Sequence, residues 1–143
     1  LQKLDRGEYG ALILAAAGLK RLGLEGRLSR DFTPEGMLPA AGQGILAVQG
    51  RAGLDYSYLD GFFDPAASAC AQAERAFVRA LDGGCTAPIA AYGQVRGHIL
   101  TLTGMYCRDD GSDDWRGSVQ GEPREAEQLG LTLAAMWRDA YGG

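Results

Sequence analysis

Residues 64–81 read DPAASACAQAERAFVRAL, and this stretch decides the fold. Apolar side chains recur every fourth position from Ala69 through Ala73 and Phe77 to Leu81, which predicts an amphipathic helix over residues 66–81. Its remaining polar positions, Glu74 among them, are then expected on the surface. The helix has a good N-cap, a proline at N1 and a glycine stop, at Asp64, Pro65 and Gly83.

The residues after this helix predict a small sheet and a second helix. Residues 89–95 and 99–107 alternate around Arg96-Gly97 as a hairpin does, and a third strand over 115–119 follows an Asp109-Asp110-Gly111 turn. Pro123 opens a helix with an apolar stripe at Ala126, Leu129, Leu133 and Trp137. We therefore expect an α+β domain in which helices flank a three-stranded antiparallel sheet.

The N-terminal part has α/β character. A helix is expected to stop at Gly7, and the short apolar runs 11–15 and 45–48 are typical of buried strands. The first run leads directly into a helix predicted over 16–24, and strand followed by helix is the α/β pattern. Residues 30–44 form a linker, residues 50–65 fit either a short helix or an aromatic loop, and the best domain boundary lies near 64–68.

Composition excludes several classes of protein. The 143 residues carry a net charge of −4, which argues against a nucleic-acid partner. No apolar run approaches the roughly 18 residues that cross a membrane, and no signal peptide is visible. Three widely spaced cysteines and one histidine fit no zinc pattern, so we expect free thiols in a reducing cytoplasm. Because the chain does not begin with Met, we expect it to be a piece of a longer protein.

Cys85 is the main functional candidate. It follows Gly83-Gly84 and precedes Pro88, so the thiol lies on an uncrowded segment between a helix and a strand. A preceding helix C-terminus raises a thiol pKa, and no His or Lys is adjacent, so a catalytic dyad is poorly supported. Covalent attachment of a group fits better, and the alternative is a small apolar residue that covers the sheet.

The other thiols and the histidine fit structural roles. Cys70 on the helix and Cys107 at a strand end are expected to be packing residues, while His98 in the hairpin turn is expected to be solvated.

Two further stretches could contact a ligand. Arg21 follows small residues at a predicted helix start, where backbone N–H groups and a guanidinium together suit a carboxylate; the alternative is an ordinary solvated face. Gln43 stands between Gly42 and Gly44, which allows close approach and one orienting amide, or only an interdomain hinge.

Taken in order, these stretches resemble one family. They are LAAAGLKRL at 14–22, LPAAGQG at 38–44, ERAF at 74–77 leading to GGC at 83–85, and IAAY at 89–92. The chain resembles the C-terminal half of the porphobilinogen deaminase (hydroxymethylbilane synthase) family. That resemblance implies an enzyme that joins four porphobilinogen units into hydroxymethylbilane, with loss of ammonia at each step.

The resemblance also implies an architecture. The family has two domains like those of periplasmic binding proteins and a small third domain. By that map residues 1–36 finish domain 2, residues 37–65 cross into domain 1, and residues 66–143 form the domain that carries the cofactor. The overall expectation is thus α/β and α+β, with partial periplasmic-binding-protein-like segments before the small C-terminal domain.

The resemblance assigns roles to five residues. Cys85 matches the cysteine that holds a dipyrromethane cofactor by a thioether, Arg21 matches an arginine that binds acidic side chains of cofactor or substrate, and Ala15, Gly18 and Gln43 match cleft positions. The family's catalytic aspartate has no counterpart here, and no metal is implied. The piece alone is therefore expected to be inactive, with Cys85 unmodified.

Oligomeric state and two other functions complete the expectations. The parent enzyme is expected to be a monomer, whereas severed sheet edges could let this piece self-associate. A non-enzymatic binding module of the periplasmic-binding-protein type would give Cys85 no special role. A thiol-dependent or redox enzyme would need a base or a second thiol near Cys85, and the adjacent sequence has neither.

Overall fold

The structure, a computed structural model, describes residues 1–82, 88–108, 110 and 114–141. By packing, the chain divides into two compact units, Leu1–Thr33 and Pro34–Gly143. The domain boundaries that the family resemblance implies, after residues 36 and 65, stay predictions.

The first unit consists of short helical segments. Helix α1 spans Gln2–Asp5, helix α2 spans Ala16–Arg21, and a 3-10 turn covers Glu25–Arg27. Leu19 of α2 is buried, and an ion pair between Arg27 and Asp5 joins the 3-10 turn to α1. The predicted stop at Gly7 coincides with a left-handed residue, φ +74°.

The second unit contains the predicted α+β arrangement. A 3-10 segment over Ser57–Phe62 precedes helix α3, and a 3-10 turn over Pro123–Glu125 precedes helix α4. The helices are α3 (Pro65–Ala80) and α4 (Ala126–Tyr141), and the strands are β1 (Ile89–Arg96), β2 (Ile99–Cys107) and β3 (Asp114–Gly121). The strands form an antiparallel sheet in the order β1-β2-β3. The three-stranded sheet with flanking helices is therefore confirmed.

The start of α3 follows the sequence prediction. Asp64 lies at the N-cap, and its carboxylate accepts hydrogen bonds from the Ala66 and Ala67 amides at 2.9 and 3.2 Å. Pro65 occupies the first turn, where its missing N–H costs nothing. The N-terminal limit of the helix is thus set locally by two residues.

The core lies where α3 and α4 pack together on one face of the sheet. Its largest fully buried side chains are Phe77, Leu100, Leu102 and Leu133. Glycines allow this close approach, since a Cβ at Gly104 would lie 2.7 Å from the Phe77 ring. A Cβ at Gly130 would lie 2.5 Å from the Ala73 carbonyl oxygen, so the α4 backbone runs almost against that of α3.

Two predicted strands are wrong. Residues 11–15 and 45–48 are irregular and belong to no sheet in the described part of the chain. Most of their side chains are exposed, with Ile13 at 71% and Leu46 at 82%, and Ile45 is half-buried. A short apolar run becomes a strand only where a neighbouring strand pairs its N–H and C=O groups, and the described residues supply no such neighbour. The periplasmic-binding-protein-like character of residues 1–65 therefore stays a proposal.

Other boundaries differ in detail or lie outside the described residues. Helix α2 ends at Arg21 instead of continuing to Leu24, because Gly23 takes a left-handed φ of +66°. The predicted stop at Gly83 and most of the Asp109-Asp110-Gly111 turn fall outside the described ranges.

The close approach of α3 and α4 predicts that Gly130→Ala destabilises the second unit by about 1–3 kcal/mol, because the new methyl group overlaps main-chain atoms that cannot rotate away. Urea unfolding followed by the fluorescence of the chain's two tryptophans measures it. Gly61→Ala is the matched control, since a Cβ there meets nothing within 4 Å. Equal midpoints for the two variants would contradict the packing argument.

Candidate functional site

Cys85 and its neighbours 83–87 lie outside the described residues, but both ends of that segment are described. At one end α3 finishes at Ala80, and Asp82 takes a left-handed backbone with φ +52°. Asp tolerates this conformation better than most residues do. At the other end the Cys107 amide donates to the Pro88 carbonyl at 2.9 Å, directly before β1. The described residues on either side of this segment, Asp82 and Pro88, therefore have defined positions.

Gln43 lies in a turn held against β1. The Ala91 amide donates to the Pro39 carbonyl at 3.1 Å, which fixes residues 38–44 along the strand. The Gln43 side chain folds back so that its Oε1 accepts from the Ala40 amide at 3.3 Å. Gly42 takes φ +73°, which a residue with a side chain would adopt only with strain. The turn is therefore ordered by its own contacts.

Glu74 anchors this turn to the domain, and sequence reasoning missed it. Its carboxylate accepts two hydrogen bonds of 2.7 Å, from the Gly42 amide to Oε2 and from the Gly93 amide to Oε1. One side chain thus joins α3, the turn and β1. Glu74 was expected on the surface and is only 4% exposed, so that expectation was wrong. Its position three residues before Phe77 and four after Cys70 places it on the buried stripe, which was the available signal.

The electrostatics at Glu74 set burial against hydrogen bonding. Loss of solvation raises the pKa of the Glu74 carboxyl, and the two amide bonds oppose that rise. Burial also raises the pKa of the nearby Cys70 thiol, with a smaller contribution from the Glu74 charge. A buried thiol with a raised pKa is poorly nucleophilic, which agrees with Cys70 as a packing residue.

A cavity of about 240 Å³ lies beside this turn. Its walls include Gln43 and Gly44 from the turn, Cys70 and Glu74 from α3, and Tyr92 from β1. The Gln43 turn and Glu74 therefore border the same cavity.

Gly18 and Arg21 belong to α2 in the first unit, and Ala15 is the N-cap residue directly before that helix. The Gly18 and Leu19 amides both donate to the Ala15 carbonyl, at 3.0 and 3.4 Å, and so form the first turn of the helix. A Cβ at Gly18 would meet nothing within 4 Å. Arg21 is exposed in the last turn. The three residues thus lie along residues 15–21, with the small residues at the start of the short helix and Arg21 at its end.

The remaining candidate residues lie at the surface or at a strand end. His98 is exposed and Cys107 is half-buried with a free thiol. Within the described ranges, His, Cys, Asp and Glu form no group of three that could hold a metal ion. None of the described helices has the length and apolar character needed to cross a bilayer.

Two family models match the chain in succession. The first, described as "Porphobilinogen deaminase, dipyromethane cofactor binding domain", covers residues 1–57, and the second, "Porphobilinogen deaminase, C-terminal domain", covers residues 68–139. Ala15, Gly18, Arg21 and Gln43 fall within the first match and Cys85 within the second. The candidates from sequence are thus divided between both matches.

Curated relatives named porphobilinogen deaminase match nearly the whole chain. The protein of Alkaliphilus oremlandii is 49% identical over 96% of this chain and 46% of its own length. That of Ruminiclostridium josui is 45% identical over 98% and 48%, and that of Neisseria meningitidis is 43% identical over 97% and 45%. The chain therefore spans about half the length of the curated relatives it matches.

The Glu74 contacts predict that Glu74→Ala destabilises the second unit by about 2–4 kcal/mol, because two amides lose their acceptor. Glu74→Gln should lose less, since one amide oxygen remains. Urea unfolding gives the free energies, and hydrogen exchange should show faster exchange at residues 40–44. Glu127→Gln, an exposed carboxylate on α4, should cost under about 0.5 kcal/mol. Equal effects at positions 74 and 127 would refute the anchoring role.

Proposed function

Because the chain belongs to the porphobilinogen deaminase family, we propose that it forms the C-terminal half of an enzyme that joins four porphobilinogen units into hydroxymethylbilane, with loss of ammonia, in tetrapyrrole biosynthesis. The observation that carries the proposal is the succession of the two family models along one chain. Relatives that are 43–49% identical over nearly all of it support the same reading.

Cys85 is the proposed point of attachment for a dipyrromethane, through a thioether. When bound, that group supplies the primer pyrrole to which further units are added. A thiol fits this task because the thioether it forms is stable. Attachment requires that the thiol be accessible more than that its pKa be lowered. The residues described on either side of the segment, Asp82 after α3 and Pro88 before β1, fit a connection between a helix and a strand.

Arg21 is proposed to bind carboxylates, since each pyrrole of cofactor and substrate carries an acetate and a propionate. A guanidinium can donate two parallel hydrogen bonds to one carboxylate, and Arg21 is exposed to meet it. Ala15 and Gly18 leave the start of α2 free of large side chains, so a pyrrole could approach the backbone there. Gln43, in its fixed turn, would orient a ligand through its amide.

The proposal assigns no catalytic aspartate to this chain. Proton transfer to the departing ammonia would then depend on residues that the relatives carry elsewhere, and this chain would hold and orient the growing product. We place the parent enzyme in the cytoplasm as a monomer.

A chimaera tests the function directly. In it, this chain replaces the matching 46% of the Alkaliphilus oremlandii protein. We expect porphobilinogen consumption and a dipyrromethane adduct on Cys85, and both should be lost in Cys85→Ser. Cys107→Ser is the matched control and should keep both, because that thiol lies at a strand end. A folded chimaera without activity, or an active Cys85→Ser variant, would refute the proposal.

The chain on its own should lack the cofactor and the activity. Under the proposal it lacks the catalytic aspartate that is needed both to build the cofactor and to catalyse the reaction. Intact mass spectrometry of the purified 15.1 kDa chain should give the unmodified mass. Incubation with porphobilinogen should leave both the mass and the substrate concentration unchanged. A dipyrromethane adduct on the isolated chain would show that it builds its own cofactor.

A further inference from the structure

Arg116 of β3 binds the main chain at the point where it enters the second unit. Its Nη1 donates to the Glu35 carbonyl oxygen at 2.8 Å, and its Nη2 donates to the Pro34 carbonyl oxygen at 3.2 Å. Pro34 is the first residue of that unit. A guanidinium holds its donors in a rigid fork, so it can bind two neighbouring acceptors at once, and its charge strengthens both hydrogen bonds. One side chain therefore ties two successive carbonyls to the sheet.

Arg116 lies on the open face of the sheet, which is the face opposite α3 and α4. Side chains alternate between the two faces along a strand. The next residue, Gly117, faces the helices, since a Cβ there would lie 3.3 Å from the Leu133 side chain of α4. In the register of the sheet Arg116 pairs with Met105 of β2, and Met105 pairs with Ala90 of β1. These three residues form one row across the open face.

The segment that Arg116 holds also reaches the opposite edge of the sheet. The Ala91 amide of β1 donates to the Pro39 carbonyl at 3.1 Å. Two strand spacings, about 10 Å, separate β3 from β1. The four residues from 35 to 39 span about 13 Å when extended, so they are long enough to cross that distance. We call residues 34–39 the strap.

Burial on the open face agrees with a strap that lies over it. Ala90 is 7% exposed although it points away from the helices, and Leu38 within the strap is 8% exposed. Both side chains would be open to solvent if residues 34–39 ran out from the sheet. The strap is therefore packed against the second unit as well as tied to it.

The strap leads directly into the Gln43 turn. Three residues later the Gly42 amide donates to the Glu74 carboxylate at 2.7 Å. The main chain from 34 to 42 is thus held at its start by Arg116, in its middle by the Ala91 amide and at its end by Glu74. Glu74 fixes the turn itself, whereas Arg116 fixes the direction from which the chain approaches it.

We propose that Arg116 is a positioning residue: it holds the strap across the open face of the sheet and thereby sets the position of the Gln43 turn. The structural part of this inference depends only on the contacts of Arg116, Ala91 and Glu74. The functional part rests on the proposed role of Gln43 in orienting a ligand.

Amide exchange measured residue by residue in the isolated chain tests the structural part. In Arg116→Met we expect the Ala91 amide to exchange about five-fold faster, because the strap leaves β1 more often, while the amides of the central strand β2 keep their rates. Arg116→Lys should give an intermediate rate, since an ammonium is a point charge and lacks the fork.

Arg96→Met is the matched control, because it removes an equal charge from the same face at the far end of β1. It should leave the Ala91 amide unchanged. An unchanged Ala91 rate in Arg116→Met, or an equal acceleration of the β2 amides, would overturn the proposal.

Steady-state kinetics of the chimaera tests the functional part. Gln43→Ala should raise KM for porphobilinogen several-fold, and Arg116→Met should raise it in the same direction, with Arg96→Met unchanged. Because Arg116 acts through Gln43, the double variant should have the KM of Gln43→Ala alone. A normal KM in Arg116→Met, or independent effects that multiply in the double variant, would overturn the positioning role. If Gln43→Ala keeps a normal KM, the proposed role of Gln43 fails instead, and the Ala91 exchange rate still decides whether Arg116 holds the strap.

Discussion

Helix α3 is confined on two sides, and the described features of the second unit depend on that confinement. Its Ala73 carbonyl lies against the α4 backbone at Gly130, and its Phe77 ring lies over Gly104 of the sheet. Neither contact leaves room for one more carbon atom, so the helix can neither shift along its axis nor rotate without a clash. A helix held this way can place its other side chains and its end accurately.

Two consequences of the fixed helix concern the site. Glu74 lies one residue from Ala73 in the chain, and its carboxylate reaches the Gly42 and Gly93 amides because the helix cannot move. At the end of the same helix, Ala80 marks where the chain departs towards Cys85. The positions of the Gln43 turn and of residues 81–82 therefore both depend on α3.

The second unit was predictable because its elements find their partners nearby in the sequence. The three strands β1, β2 and β3 pair with their neighbours in sequence across two short connections. The buried stripes of α3 and α4 are also visible in the sequence. The runs 11–15 and 45–48 carry the same apolar signal, but pairing is a property of two strands and a single run cannot reveal it. The surface position predicted for Glu74 was wrong for another reason. Its polarity suggested exposure although its spacing places it on the buried stripe, and backbone amides can make a buried carboxylate acceptable. The candidate site residues were found from motifs in the sequence. The contacts that hold the Gln43 turn are visible only in the structure.

The charge balance limits what this chain can contribute to the proposed reaction. It carries 14 basic and 18 acidic residues, and many of its arginines are already engaged. Arg6, Arg27, Arg79 and Arg124 pair with carboxylates, and Arg116 and Arg138 donate to carbonyl oxygens. Arg21 takes part in none of these contacts, yet each added pyrrole would bring two more carboxylates. Under the proposed function, the cations that neutralise a growing oligopyrrole must come mainly from the half of the relatives that this chain does not match, and its own task is to hold the thiol in place.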